Sequence, residues 1–261
     1  MADYPEIPGI QEPRVQERRY VEISPGQPPE VKPLPILGTR QDRIVALRGG
    51  AVALVIVIFY VSVANSLNTA TTWIEGISLW ASLACVWLAR VENIWTMPFG
   101  LVAVVLLGWF LLGIDLVAQG WLQYMFYVPI QLIGWWKWCR GGANRTELQI
   151  SHLKSGGWLL TIGGLLLIWA SCWILFGAIY ESPAWLLWDT SVVASSVVAQ
   201  LLMTWKKREA WWAWTLPVNV SSIGLFLVTE SYAFVFLYVI FLANSIWGMI
   251  NWQRLARSTS T

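Results

Sequence analysis

Charge is what this chain of 261 residues has least of: Asp, Glu, Lys and Arg together make up 12%, about half of what a soluble domain carries. Histidine occurs once, as His152, which excludes a His-rich metal site; neither a metal nor a cofactor is expected. Cys85, Cys139 and Cys172 are too few and too scattered for a disulfide framework. No glycine-rich loop leads into Lys-Ser or Lys-Thr, which argues against ATP-driven transport within the chain. No His/Glu/Ser constellation converges, so an enzyme is not expected. The basic residues are not gathered into a patch and the net charge is only +2, so nucleic acid is not an expected partner. The polar start lacks the apolar run of a signal peptide.

What the chain has instead is apolar mass. Hydrophobic residues make up 57%, mean hydropathy is +0.56, and tryptophan occurs 20 times. Tryptophan favours the membrane–water boundary, where its ring is buried and its N–H stays wet. The fold class expected is an all-α integral membrane protein in a lipid bilayer.

Basic residues supply the organisation. Residues 1–44 hold eight of the twelve prolines with mixed charge and no periodicity, and read as a disordered cytoplasmic tail that transport can do without. Beyond them, Lys and Arg fall in clusters separated by four blocks: 49–89, 91–136, 155–205 and 209–253. Each block is long enough for two helices of about 20 residues and a turn. Eight spans follow, roughly 46–66, 72–89, 95–114, 120–138, 157–179, 184–205, 210–229 and 232–252. All seventeen basic residues then lie on one face, while Asp115, Glu181 and Glu230 mark the other. The positive-inside rule makes both termini cytoplasmic.

The spans repeat. "WTMPFG" at 95–100 matches "WTLPVN" at 214–219, and "GWWKW" at 134–138 matches "GMINW" at 248–252. Tyr124 and Tyr238 then coincide, and "WIEG" (73–76) faces "LWDT" (187–190), placing Glu75 opposite Asp189. The register shifts by five residues along the way, which this alignment assigns to a longer outer turn in the first copy. Each copy holds three spans, and a single span between them restores the starting side. The plan is a 3+1+3 parallel repeat (70–140, 155–180 and 184–254) with one extra N-terminal span at 45–68. Parallel repeats are a transporter architecture with substrate held at their interface.

With these motifs in view, the sequence resembles the PnuC family of vitamin-precursor transporters. The resemblance rests on "WIEG" at 73–76, "FGL" at 99–101, "LQ" at 122–123 and "GWWKW" at 134–138. In the second copy it rests on "WDTS" at 188–191, "LMT" at 202–204, Trp214 with "NV" at 219–220, and Asn244. It implies a SWEET-like fold and facilitated diffusion of nicotinamide riboside across a bacterial inner (plasma) membrane, with a cytoplasmic kinase trapping the product. It also implies a homo-oligomer, a trimer being one arrangement. Thiamine or riboflavin on the same fold, and a proton-coupled carrier, stay open as alternatives.

An aromatic amide with a ribose and a cationic ring needs flat apolar walls, cation–π or acidic partners, and amides or hydroxyls for the sugar. The candidate amides are Asn219, Asn244, Gln123 and Gln131, with Gln200 as a further one; each would otherwise serve as glue between helices. Asp189 would recruit the cation at the outer mouth with Trp188 stacking beside it, unless it merely caps a helix. Trp95 and Trp214, each before a proline, and Tyr127 and Tyr238 complete the substrate-binding set. Trp73, Trp80 and Trp87 recur on one helix face and read as packing or lipid belt. Pro98 and Pro217 are candidate hinges, expected to kink the middle span of each copy. Pro129 has no partner in the second copy and reads as local.

Overall fold

The computed structural model describes residues 34–66, 73–113, 117–178, 182–228 and 232–258. Asp115, Glu181, Glu230 and the 1–33 part of the tail lie outside them, as does the side chain of Glu75. Eight helical segments follow in chain order: α1 (Arg40–Ser66), α2 (Trp73–Arg90), α3 (Thr96–Gly113), α4 (117–140), α5 (Ser155–Phe176), α6 (Pro183–Thr204), α7 (210–228) and α8 (Tyr232–Ser258). Among the described residues there is no strand, only an isolated bridge between Ser151 and Lys207. Four stretches, Arg40–Ala64, Ser155–Phe176, Leu186–Thr204 and Val235–Ala256, are long and apolar enough to cross a membrane; Gly76–Arg90 and Thr96–Phe110 are shorter apolar helices.

The first helix starts earlier than expected. Thr39 and Asp42 form a reciprocal cap, Thr39 N–H to Asp42 Oδ2 at 2.7 Å and Asp42 N–H to Thr39 Oγ1 at 3.2 Å, which fixes the helix start at Arg40. Residues 34–38 are also ordered. Leu34 is buried in the tryptophan-rich core, and three side chains donate to its neighbourhood: Arg140 to Leu34 O (2.6 Å), Trp135 to Ile36 O (2.7 Å) and Trp95 to Leu37 O (3.0 Å). The expected 1–44 tail therefore ends about ten residues early, because side chains of α4 and of the turn before α3 satisfy its backbone carbonyls.

The two copies keep one register. Thr96 and Ala210 begin corresponding helices, and Glu92 and Lys206 occupy corresponding turns 114 residues apart. Both turn residues sit at positive φ, 56° and 46°. Trp138 Nε1 donates to Met203 O at 3.2 Å, and its counterpart Trp252 donates to Ala89 O at 3.1 Å, the counterpart of Met203. Helix packing is reciprocal as well: α4 lies on α6 and α8 lies on α2. α5 buries no residue and packs against α6.

That register corrects the proline alignment. Pro98 is the third residue of α3, in the first turn, where its missing N–H has no helical acceptor to lose. The expected interior kink at Pro98 is absent because residues 91–95 form a turn and not helix. Pro217 lies within a π-helical stretch of α7, Trp214–Val220, between Ala210–Ala213 and Ser221–Val228. The other wide turn is in α4, where π-helical Gln123–Tyr127 precedes Val128–Arg140 and its Pro129. The interior helix proline of the first copy is thus Pro129. A wide turn re-pairs carbonyls that a proline cannot serve.

Candidate functional site

A cavity with about 940 Å3 of unfilled space, open solvent included, lies between the two copies. α2, α3 and α4 contribute Ser82, Cys85, Val86, Ala89, Thr96, Met97, Gly100, Tyr127 and Gln131. α6, α7 and α8 contribute Gln200, Met203, Trp211, Trp214, Asn219, Phe241, Asn244 and Ser245. In the 114-residue register these fall into pairs: Val86 with Gln200, Ala89 with Met203, Met97 with Trp211, Gly100 with Trp214, Tyr127 with Phe241, and Gln131 with Ser245. The lining is symmetric in position and asymmetric in chemistry.

The wide turns help to build this wall. Tyr127 ends one of them, and Trp214 and Asn219 sit in the other. Asn219 donates to Ser245 Oγ at 3.2 Å, and Asn244 donates to Val86 O at 2.8 Å. Each asparagine thus commits an N–H to a neighbouring helix, which holds its amide in one orientation at the cavity. Tyr127 donates to Ser196 Oγ at 3.0 Å, joining α4 to α6. Gln131 is buried, and no described residue hydrogen-bonds its amide. No Lys, Arg, Asp or Glu lines the cavity among the described residues.

Five of the ten substrate-site residues expected from sequence meet at this cavity: Tyr127, Gln131, Trp214, Asn219 and Asn244, together with Gln200. The other five lie elsewhere. Trp95 is turned to the 34–38 segment. Gln123 packs on α3, where a Cβ added to Gly108 would come within 3.1 Å of it. Tyr238 stands edge-on to Phe241 at 5.7 Å and bonds Ser222. Trp188 lies over Gly224, within 3.0 Å of an added Cβ, and Asp189 is within electrostatic reach of Cys172 on α5. Sequence reasoning missed Ser82, Cys85, Thr96 and Ser245. Small hydroxyls and thiols in helices usually satisfy themselves on a nearby carbonyl and carry no pattern.

One end of the cavity is closed by packing. Ala89, Met97, Met203 and Trp211 join Trp138, Cys139 and Trp252 in one buried cluster. Beside it, Lys206 is fully buried, with Nζ 2.7 Å from Glu92 Oε1, 3.2 Å from Glu147 Oε1, and 4.6 Å from the centre of the Trp138 ring. The connecting segment is pinned to the same turn: Ser151 N–H donates to Lys206 O, Arg208 N–H to Ser151 O (each 3.0 Å), and Leu153 N–H to Glu209 Oε2 (3.1 Å). Glu92 and Lys206 belong to different copies, so this ion pair spans the interface that the cavity occupies.

Comparison with known proteins agrees with this architecture. The family model described as nicotinamide mononucleotide transporter matches residues 72–254. The nicotinamide riboside transporter PnuC of Escherichia coli is 30% identical, over 71% of this chain and 87% of that protein. The protein of the same name from Neisseria mucosa is 28% identical, over 72% and 75%. A riboflavin/roseoflavin transporter, RibM of Streptomyces davaonensis, is 30% identical but covers 51% of this chain and 63% of its own length. A crystal structure of the vitamin B3 transporter PnuC superposes with a TM-score of 0.62 at 24% identity, over 84% of this chain and 93% of that one. The packing of six helices around one cavity, the apolar helices and these matches lead to one conclusion: the chain is a multi-pass membrane transporter and belongs to the PnuC family.

Proposed function

We propose that this protein is a bacterial inner-membrane uniporter for nicotinamide riboside, working by alternating access between two three-helix repeats, α2–α4 and α6–α8. The observation that carries this is the cavity: rings of Tyr127, Trp211, Trp214 and Phe241 beside amides of Gln131, Gln200, Asn219 and Asn244, with no charged side chain among the described lining residues. Rings suit a cationic pyridinium, and amides suit a carboxamide and ribose. A lining without Lys or Arg disfavours a phosphorylated nucleotide, since an unpaired anion is costly to bury. A lining without carboxylates favours uniport over proton coupling. Net uptake then requires that substrate be consumed inside, as phosphorylation by a separate kinase would do.

The reciprocal Trp138 and Trp252 bonds support a 3+1+3 plan of seven spans preceded by α1, with both termini cytoplasmic. On that plan the Glu92–Lys206 pair and the tryptophan cluster are the cytoplasmic gate, closed in this state. The gate opens when the two copies tilt apart there. Riboflavin is the second reading, favoured by the partial match to a riboflavin/roseoflavin transporter. Calorimetry of purified protein against nicotinamide riboside, nicotinamide mononucleotide, riboflavin and thiamine separates these, and riboside binding alone is expected. Uptake into proteoliposomes should equilibrate without a proton gradient. Strict dependence on that gradient would overturn uniport.

A further inference from the structure

At two register-equivalent positions in the cavity wall each copy has one large and one small residue, and the large one changes helix between copies. In the second copy α7 carries Trp214 and α8 carries Ser245. At the same register positions α3 carries Gly100 and α4 carries Gln131. All four line the cavity. A Cβ added to Gly100 would stand 2.3 Å from Gln131 Nε2 and 2.8 Å from its Cδ, both far inside contact, and 3.1 Å from Cys85 Sγ. The Gln131 amide therefore occupies the space that a side chain at position 100 would fill. It lies there in the cavity wall, open to the lumen and without a hydrogen bond from the described residues.

We propose that Gly100 is a positioning residue for ligand recognition: its missing side chain seats the Gln131 amide in the wall of the cavity, facing the aromatic half supplied by Trp214. The inference rests on the cavity being the substrate site. An amide that lines the cavity and has no partner among the described residues is available to a ligand, and a hydrogen bond made there adds to affinity. Because the clash falls on the flexible end of Gln131, an alanine at position 100 moves the amide into the lumen and leaves the backbone in place. The ligand then meets a displaced group and a smaller pocket. Alanine is also the better helix former, so weakened binding would not come from a weakened α3.

The test is a double-mutant cycle on the full-length protein, read by calorimetry with nicotinamide riboside. Gly100→Ala should weaken binding tenfold or more while the ligand-free melting temperature stays level or rises. Gln131→Ala should weaken it comparably, and Gly100→Ala should then add less than twofold in the Gln131→Ala background. Gly163→Ala, where an added Cβ meets nothing within 4 Å, should bind as the parent does. Normal affinity in Gly100→Ala, or an equal loss with and without Gln131, overturns the proposal. Asn219→Ala and Asn244→Ala separate the two readings. If both bind normally, the cavity is not the site. If they lose binding while Gly100→Ala does not, the positioning role alone falls.

Discussion

Glu92 Oε1 and Lys206 Nζ are 2.7 Å apart, although the residues are 114 positions apart and occupy the same turn of two different repeats. Two residues related by the repeat thus pair with each other, next to the axis about which the copies are related. Both turns follow a helix end with left-handed backbone, Asn93 N–H returning to Leu88 O and Lys207 N–H to Leu202 O at 2.9 Å each. The shared turn geometry brings the side chains inward. Opposite charge at one pair of equivalent positions then makes the two copies attract where identical residues would repel.

Breaking this pair is the first prediction. Lys206→Met removes the cation that Glu92 and Glu147 share, a change of the kind that costs about 3–5 kcal/mol, and should lower the melting temperature strongly. Glu92→Gln keeps the shape and leaves Glu147 on Lys206, so it should fold and loosen the gate. Cys139, buried beneath Pro35, reports on this end. With Cys85 and Cys172 replaced by alanine, Glu92→Gln should speed maleimide labelling of Cys139 in inside-out vesicles. An unchanged labelling rate would remove the pair from the gate.

The asparagines should separate into two kinds of loss. Asn219→Ala removes a group bonded to Ser245 and should weaken nicotinamide riboside binding about tenfold, the worth of one hydrogen bond. Asn244→Ala also cuts the tie from α8 to Val86 of α2, and should lose about 1 kcal/mol of stability besides affinity. Calorimetry and thermal unfolding on both variants check this. A parental melting temperature in Asn244→Ala would deny Asn244 its structural share.

The order of eight helices was legible because seventeen basic residues collect in a few clusters between long apolar blocks. The helix bounds observed differ from the expected ones by a few residues, mostly at caps. Position within a helix was less legible. "WTMPFG" and "WTLPVN" share three letters, yet one opens α3 and the other lies in the interior of α7. The pairs Tyr124/Tyr238 and Trp138/Trp252 carried the right register. A local proline match was weighted above them, and a proline is silent about whether its turn is the first. Lys206 was not legible as a buried group: within "KKR" it reads as one more solvated cation, and only the fold brings two carboxylates to it.

The prolines themselves now make an asymmetric prediction. Pro217→Ala acts inside a wide turn that holds Trp214 and Asn219, and Pro129→Ala acts beside the one that ends at Tyr127. Each restores a backbone donor and favours regular helix, so each should slow flux in proteoliposomes several-fold. Pro98→Ala, in a first turn, should leave flux near that of the parent. Equal slowing by Pro98→Ala would return the hinge to both middle helices.

Charge in the ligand offers a fourth measurement. Nicotinamide mononucleotide adds a phosphate to the riboside, and the described residues of the cavity lining supply no Lys or Arg to meet it. Its affinity should fall about a hundredfold or more, since an unmet anion pays its desolvation in full. Competition calorimetry reads this directly. Equal binding of both compounds would mean that the phosphate stays outside the lining residues, in water.

The N-terminal segment divides at residue 34. Leu34, Ile36 and Leu37 give their carbonyls to Arg140, Trp135 and Trp95, tying the start of α3 to the end of α4 across the first copy. Removing residues 1–33 leaves every one of these bonds, so melting temperature and transport should both be unchanged. Trp135→Phe keeps the ring and removes one neutral donor, for a loss of about 1 kcal/mol. Arg140→Ala removes a charged donor and should cost about 1.5–3 kcal/mol. If the segment only rests on the surface, neither substitution moves the melting temperature. If it clamps the copy, both lower it, in that order, while the affinity for substrate, bound deeper between the copies, stays the same.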